Sequence, residues 1–194
     1  MYDAFGIVNS ASRNIYVEGM QDYRPIGAFS FLGRYRVIDF PISNMSNSGI
    51  DRIQVYVNQK PRSLVEHVGT GRHYNINSKS GRLHLLFSEA RAVNDLYNTD
   101  IASYLENMEY VRRLRNPYVV IAPNYMVYTI DYSSLIQTHV ESGADITLLY
   151  HAVDNAKDSY LSCNILNLNK QKGVLSIEPN HGNVKNRNIF MDTY

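Results

Sequence analysis

Short apolar runs alternate with helix-forming segments along this chain, and that alternation limits the fold more than any other feature. Phe5–Val8 and Tyr118–Ala122 are compact apolar runs, typical of strands buried in a parallel sheet. Arg52–Val57 alternates polar and apolar residues, which also predicts a strand. Because helical segments separate these strands, the sequence predicts an α/β fold with a mostly parallel sheet and helices on both faces.

Capping residues indicate where the helices begin and end. Asp39 and Pro41 suit the first turn of a helix that Gly49 is placed to end. The other predicted helices are Arg62–Val68, Asp100–Arg115 and Asp131–Glu141. In the helix from Asp100, the apolar stripe consists of Ile101, Tyr104, Leu105, Met108 and Val111. Further strands are predicted at Leu83–Phe87 and Ile146–His151, in a hairpin of 164–168 with 174–177, and from Ile189.

The predicted sheet places a ligand site at one edge. Ligands of open α/β sheets bind beyond the carboxyl ends of the strands. Asn9–Arg13, Asn58–Pro61 and Pro123–Tyr125 follow three of the predicted strands and therefore form the expected mouth of a site.

Composition excludes several classes of function. With 194 residues and 44% hydrophobic residues, the chain is long enough for one sizeable domain with a full core. Its formal net charge of +1 gives no global field to recruit nucleic acid or an acidic membrane. Cys163 is the single cysteine, which excludes an internal disulfide and fits a cytoplasmic protein. We expect neither a signal peptide nor a membrane span.

One segment, Gly33–Ile50, is recognisable. It closely resembles the "GGKYRxIDFxLSNxxNSGI" segment of glucose-1-phosphate adenylyltransferases, and weaker likeness continues along nearly the whole chain. The resemblance implies a three-layer, Rossmann-like nucleotidyltransferase domain over residues 1–194, with a mostly parallel mixed sheet. Family members continue into a left-handed β-helix, which we expect to be absent from this chain.

The chain departs from the family's pattern where that family binds phosphate and metal. Its glycine-rich phosphate loop is replaced here by a loop that contains Ser10, Ala11, Ser12 and Arg13. Side chains at Ser10 and Ala11 would crowd a backbone meant to lie against phosphate. Ile15 falls at the family's catalytic arginine, from which Arg13 would start two residues away.

Three further family positions are altered. The family's phosphate-site lysine falls on Ile26 without gaps and on Arg24 with a gap. Asn124 stands where the family has its metal-binding aspartate, so the anionic ligand preferred by a hard cation is missing. The family's sugar-site "EKP" corresponds to a segment around Glu178 that has no lysine. No histidine pair has HExxH spacing, so no other catalytic metal site is predicted.

This pattern of altered residues resembles that of a second, divergent subunit of the enzyme, which some Gram-positive bacteria carry beside the catalytic one. The resemblance implies a regulatory, non-catalytic subunit that assembles with the catalytic one in a heterotetramer. It would modulate ADP-glucose formation from ATP and glucose-1-phosphate for glycogen biosynthesis. No cofactor is then expected, and Mg²⁺ only if the chain is catalytic.

Two alternatives stay open at the level of sequence. One is an active adenylyltransferase with a rearranged phosphate loop that uses Arg13 and Arg24. The other is a binding domain that senses a sugar phosphate, with Arg24, Arg34 and Arg36 as candidate phosphate or effector contacts. For Arg34 and Arg36, the competing interpretation is simple charge on a strand edge.

Overall fold

The computed structural model describes residues 3–10, 15–57, 60–69, 71–76, 81–87, 100–161 and 163–194. The chain divides into two compact units, Met1–Gly143 and Ala144–Tyr194. The single domain expected over residues 1–194 stays a prediction.

The described strands are β1 (Ala4–Asn9), β2 (Ser30–Phe31), β3 (Tyr35–Arg36), β4 (Arg52–Val57), β5 (Arg82–Phe87), β6 (Tyr118–Pro123), β7 (Tyr150–Val153), β8 (Asn164–Leu168), β9 (Val174–Pro179) and β10 (Arg187–Phe190). The described helices are α1 (Asp39–Asn47), α2 (Arg62–Val68), α3 (Asp100–Glu106), α4 (Met108–Arg112) and α5 (Tyr132–Ser142), with 3-10 turns at Ile26–Ala28 and Arg72–Tyr74.

A four-stranded parallel sheet forms the centre of the first unit, in the order β5–β4–β1–β6. The three strands predicted from apolar or alternating runs in this unit are confirmed. β4 departs from the alternation that predicted it, because Gln54 and Tyr56 are as buried as the apolar residues beside them. A strand with neighbours on both sides and buried on both faces tolerates polar residues only where other groups satisfy them. Accordingly, the Tyr56 hydroxyl donates to Gln54 Oε1 at 3.2 Å.

Helix α1 lies close against the sheet because β1 contains a glycine. A Cβ at Gly6 would come within 2.4 Å of the Met45 sulfur, and Met45 is completely buried. Ile42, one turn earlier on α1, is also completely buried. A glycine inside a strand often marks such a close approach.

Hydrogen bonds join α1 to the start of α5 and to the segment just before it. Asn44 Nδ2 donates to the Tyr128 carbonyl at 2.9 Å. The backbone N–H of Tyr132, the first residue of α5, donates to Ser48 Oγ at 2.8 Å. This bond satisfies one of the N–H groups that a helix leaves unpaired at its start, at a residue with no solvent exposure.

The carboxylate of Asp39 joins three segments of the first unit. Its Oδ2 accepts from the Arg36 backbone N–H at 2.8 Å, and its Oδ1 lies 2.7 Å from both His67 Nε2 and the Tyr74 hydroxyl. Helix α1 begins at Asp39 as predicted, but the carboxylate binds the segment before the helix rather than the first turn. Burial, together with the hydrogen bond to Asp39, raises the pKa of Tyr74, so its hydroxyl stays protonated as the donor.

The long helix predicted at Asp100–Arg115 is instead two short helices, α3 and α4, separated at Asn107. Asn107 is buried, and its side-chain amide donates to the Ser103 carbonyl at 3.1 Å. The Asn107 backbone N–H donates to the same carbonyl at 3.2 Å, so the side chain and the backbone share this acceptor. Side chains that bond to nearby backbone in this way are favoured at helix ends rather than inside helices. The apolar stripe is also not a buried face, since Ile101 is 62% and Leu105 is 64% exposed.

Helix α5 begins and ends as predicted. Asp131 Oδ1 accepts from the Ser133 backbone N–H at 2.9 Å, which is the geometry of an N-terminal cap. Gly143 ends the helix with φ of 63°, a conformation that glycine adopts at little cost. The hydrogen bonds from Ser133 lower the pKa of the Asp131 carboxyl.

The second unit is built on an antiparallel sheet in the order β7–β10–β8–β9. The predicted hairpin is confirmed as β8 and β9, and Asn169 Oδ1 organises its turn by accepting from the N–H groups of Gln171 and Gly173. The strand predicted at Ile146–His151 begins only at Tyr150, and Ile146 is 69% exposed. The apolar run from Ile146 therefore predicted a longer and more buried strand than the structure has.

The described helices are all short. The longest, α5, has 11 residues, against roughly 20 for a membrane span. None of the helices in the described ranges combines the length and the hydropathy that crossing a bilayer requires.

Replacing Ser48 with alanine tests the junction of α1 and α5. The buried Tyr132 N–H loses its acceptor, so we expect the free energy of unfolding to fall by about 1–3 kcal/mol. Chemical denaturation measures this change. Ser134→Ala, on the exposed side of α5, is the matched control, with an expected change within about 0.5 kcal/mol. Equal losses for both variants would contradict a special role for Ser48.

The Asp131 cap predicts a pH dependence. Because its pKa is lowered in the folded state, the carboxylate stabilises the fold above its unfolded pKa of about 3.9. This contribution is lost as the pH falls through the lowered folded pKa. Asp131→Asn keeps a capping side chain but cannot ionise, so wild type should exceed this variant in denaturant midpoint at pH 7 and match it in strong acid. Asp158→Asn, an exposed change in the second unit, is the control, and a difference that persists in acid would contradict the cap.

Candidate functional site

The carboxyl ends of β1 and β6 meet at the edge where the sequence predicted a site. Asn9 pairs in register with Pro123, and the Asn124 N–H donates to the Asn9 carbonyl at 2.9 Å. The side chain of Asn9 is buried and points to α3: Nδ2 donates to Asp100 Oδ2 at 3.2 Å, and Oδ1 accepts from the Tyr104 hydroxyl at 2.6 Å. Asn9 therefore uses both of its polar atoms within the protein.

Ser10, the first predicted residue of the altered phosphate loop, is also engaged internally. Its Oγ donates to the Tyr56 carbonyl at 2.7 Å, near the end of β4. The Tyr56 ring contacts the Tyr104 ring edge-to-face, with 5.2 Å between centroids. Burial raises the pKa of Tyr56 to about 12, so no negative charge forms there at physiological pH. Ala11, Ser12 and Arg13 lie outside the described residues.

Asn124 lies directly after β6 and is 1% exposed. Its Oδ1 is buried without a hydrogen-bond partner in the structure. The 3-10 turn of residues 26–28 packs against it so closely that a Cβ on Gly27 would lie 3.1 Å from Asn124 Nδ2. The position that the resemblance assigns to a metal-binding aspartate therefore holds a neutral, enclosed amide.

The described residues at this edge do not fit a resident Mg²⁺. Hard cations prefer several oxygen ligands, chiefly carboxylates. In the part of the chain that the structure describes, no three His, Cys, Asp or Glu side chains come together as metal donors. Position 124 supplies an amide whose oxygen is buried, and the nearby Asp100 carboxylate already accepts a hydrogen bond from Asn9.

The predicted arginine contacts differ in their environments. Arg24 and Arg34 are exposed. The Arg36 guanidinium is half-buried and donates to the Ala28 carbonyl. Ile26, the ungapped position of the family's lysine, is 7% exposed in an apolar cluster with Phe29 and Val37, where an ammonium group would be strongly disfavoured.

Two other regions that the sequence assigned to the site are the segment after β4 and the segment around Glu178. Lys60, after β4, donates from Nζ to the Gln21 carbonyl at 3.1 Å and lines a cavity of about 320 Å³ with Tyr23 and Arg62. Glu178 is exposed on β9 in the second unit and accepts from Asn167 Nδ2. Neither the Asn167 nor the Lys60 contact was predicted.

Sequence reasoning missed the part that α3 plays at this edge. It assigned Asp100 to a helix start and Tyr104 to an apolar stripe, yet both side chains contact Asn9. Their spacing of one helical turn was the available signal, because residues at i and i+4 lie on one face.

The comparisons with known proteins agree with this architecture. The model of the nucleotidyl transferase family matches residues 23–161. A glycogen biosynthesis protein GlgD from Geobacillus stearothermophilus is 34% identical over 152 residues, covering 75% of this chain and 43% of the relative. A glucose-1-phosphate adenylyltransferase from Clostridioides difficile is 31% identical over 169 residues, covering 86% of this chain and 43% of the relative. The chain thus spans less than half the length of these relatives.

The fold has a close match among solved structures. A protein from Bacillus anthracis assigned as a glucose-1-phosphate thymidylyltransferase, solved in complex with sucrose, superposes with a TM-score of 0.72. The match covers 98% of this chain and 70% of that protein, at 12% identity, and so concerns the fold alone. Because the family model covers well over half of the chain and the parallel sheet has the expected Rossmann-like form, this chain belongs to the nucleotidyl transferase family.

Proposed function

We propose that this chain acts as a regulatory, non-catalytic subunit of a glucose-1-phosphate adenylyltransferase. It would bind the catalytic subunit and modulate ADP-glucose formation for glycogen biosynthesis. The observation that carries the proposal is the enclosed amide of Asn124, with its unpartnered Oδ1, at the position that the resemblance assigns to the metal-binding aspartate.

The chemistry of phosphoryl transfer explains why this observation matters. Catalysis at a triphosphate depends on donors, cations and metal ions that offset the developing negative charge. At the described edge, the side chains of Asn9 and Ser10 donate to Asp100 and to the Tyr56 carbonyl instead. Asp100 also brings a negative charge towards the end of β1, which opposes binding of an anion there.

The relatives support the choice of partner. The similar proteins include both a glycogen biosynthesis protein and glucose-1-phosphate adenylyltransferases. A chain that keeps the scaffold of such enzymes, with altered residues at the reacting centre, is suited to bind an enzyme of the same scaffold. Exposed Arg24 and Arg34 remain the candidate contacts for a sugar-phosphate effector, because Arg36 is engaged with the Ala28 carbonyl.

An assay of the chain alone and with a catalytic subunit tests the proposal. Alone, with ATP, glucose-1-phosphate and Mg²⁺, it should form ADP-glucose at least about 100-fold more slowly than the catalytic subunit. When both are mixed, the catalytic efficiency of the enzyme should change by about 5-fold or more. Turnover by the chain alone at the rate of the enzyme would contradict the proposal and favour an active site built on Arg13 and Arg24.

The effector alternative is separated in the same assay. Adding a sugar-phosphate effector with and without this chain shows whether the chain transmits its signal. If Arg24 and Arg34 bind the effector, the double variant Arg24→Gln with Arg34→Gln should lose the effector response. It should keep the change in catalytic efficiency that mixing with the catalytic subunit causes. Arg62→Gln, an exposed arginine paired with Glu66, is the control, and loss of the response in all variants would count against these contacts.

Asn124→Asp tests whether a metal site survives around position 124. A carboxylate at this enclosed position lacks a partner, so we expect the free energy of unfolding to fall by about 3 kcal/mol at neutral pH. Millimolar Mg²⁺ should not restore it, because among the described residues no cluster of three His, Cys, Asp or Glu side chains forms there. Recovery of thermal stability in Mg²⁺ would contradict the loss of the metal site. Asn164→Asp, an exposed change on β8, controls for the added charge.

A further inference from the structure

The second unit contains an open cavity of about 490 Å³ at the end of β7. This volume lies in the range of cavities that hold small organic ligands. The polar side chains that line it belong to His151, Asp154, Asn155, Tyr160 and Asn186. None of these five side chains has a hydrogen-bond or ring partner among the described residues, so all five are available to a ligand.

A buried asparagine holds the loop that forms one rim of the cavity. Asn180 is 3% exposed, and its Nδ2 donates to the carbonyls of Ala156 at 2.8 Å and Tyr160 at 3.0 Å. The Ala156 N–H donates to the Lys185 carbonyl at 2.9 Å, which ties this loop to the segment that carries Asn186. A site whose walls are fixed before binding loses less conformational entropy when a ligand arrives.

The backbone of Tyr160 is strained at this rim. Its φ is 60°, a conformation that is unusual for a bulky residue. Its carbonyl accepts from Asn180 and also from the Cys163 N–H at 3.1 Å, so the surrounding structure maintains the conformation. Strained residues that their surroundings hold in place are frequent at ligand sites. Here the strained residue lines the cavity with a side chain that is 42% exposed.

The lining favours a neutral ligand that carries many hydroxyl groups. A carboxylate accepts hydrogen bonds from hydroxyls, and an amide both donates and accepts. Among the described residues, the lining includes the Asp154 carboxylate but no lysine or arginine side chain, so a phosphate would be repelled. The ring of Tyr160 supplies a large apolar surface with few rotatable bonds, against which the C–H face of a sugar ring can pack.

We propose that this cavity binds a neutral oligosaccharide. The Tyr160 ring packs against one sugar ring, and the side chains of Asp154, Asn155 and Asn186 bond its hydroxyl groups. Because the cavity is open to solvent, the rest of the sugar chain can continue outside it. Glu178, at the position that the resemblance assigns to the family's sugar site, does not line this cavity. The proposal concerns binding to the second unit alone and does not depend on the proposed function.

Titration with two soluble glucose oligomers, maltoheptaose and cellotetraose, tests the proposal. In the isotope-labelled chain, the backbone amide signals of residues 154–160 and 186 should shift with at least one oligomer, with a Kd of about 1 mM. Inorganic phosphate at the same concentration should leave these signals unchanged. Absence of shifts with both oligomers at about 10 mM would overturn the proposal, and so would shifts that phosphate alone causes.

Substitutions at the rim separate a ring contact from a general effect on the fold. Tyr160→Asn removes the ring at a φ that asparagine tolerates, so the Kd for the bound oligomer should rise at least about fivefold. Tyr160→Phe keeps the ring and is the matched control, with an expected change within about twofold. Asn186→Ala should also weaken binding, whereas Asn183→Ala, outside the lining, should not. Wild-type affinity in Tyr160→Asn, or equal losses in the two alanine variants, would contradict the proposed contacts.

Discussion

The parallel pairing of β1 with β4 on one side and β6 on the other is the constraint on which the first unit depends. All six residues of β1 are buried, so helices must cover both faces of the strand. Gly6 sets how closely α1 can approach, because Met45 occupies the space that a side chain would need. The same pairing aligns the carboxyl ends of the strands, which is why residues far apart in sequence meet at Asn9 and Asn124.

The aligned edge is filled by contacts that the chain makes with itself. Asn9 is held by Asp100 and Tyr104, Ser10 by the Tyr56 carbonyl, and Asn124 by the turn that contains Gly27. An anion-binding edge needs N–H and O–H donors directed outwards. At this edge, the described side-chain donors of Asn9 and Ser10 face inwards, to Asp100 and to the Tyr56 carbonyl.

Much of this fold was predictable, because apolar runs and caps act locally. β1, β6 and α5 follow from such signals, and α5 carries its own cap at Asp131. The failures arise where burial depends on what packs against a segment. The stripe on Asp100–Arg115 has a helical period, but the helix is interrupted at the buried Asn107, and Leu105 is exposed.

The candidate site was predictable in position but not in detail. The strand ends located its mouth, and the family pattern drew attention to Asn124. Nothing local in the sequence indicated that the amide oxygen of Asn124 is enclosed, or that Tyr104 and Asp100 reach Asn9. These contacts depend on how α3 lies against the sheet, which is a property of the packed unit rather than of any one segment.

The polar side chains of the recognisable segment, Gly33–Ile50, hold other segments of the fold in place. Its Asp39 carboxylate binds His67 and Tyr74, and its Ser48 hydroxyl binds the start of α5. These contacts give the segment a structural role that does not depend on phosphate binding. When genome sequences are sorted by this motif, a match diagnoses the architecture, and enzyme activity has to be assigned separately from the residues at the strand ends.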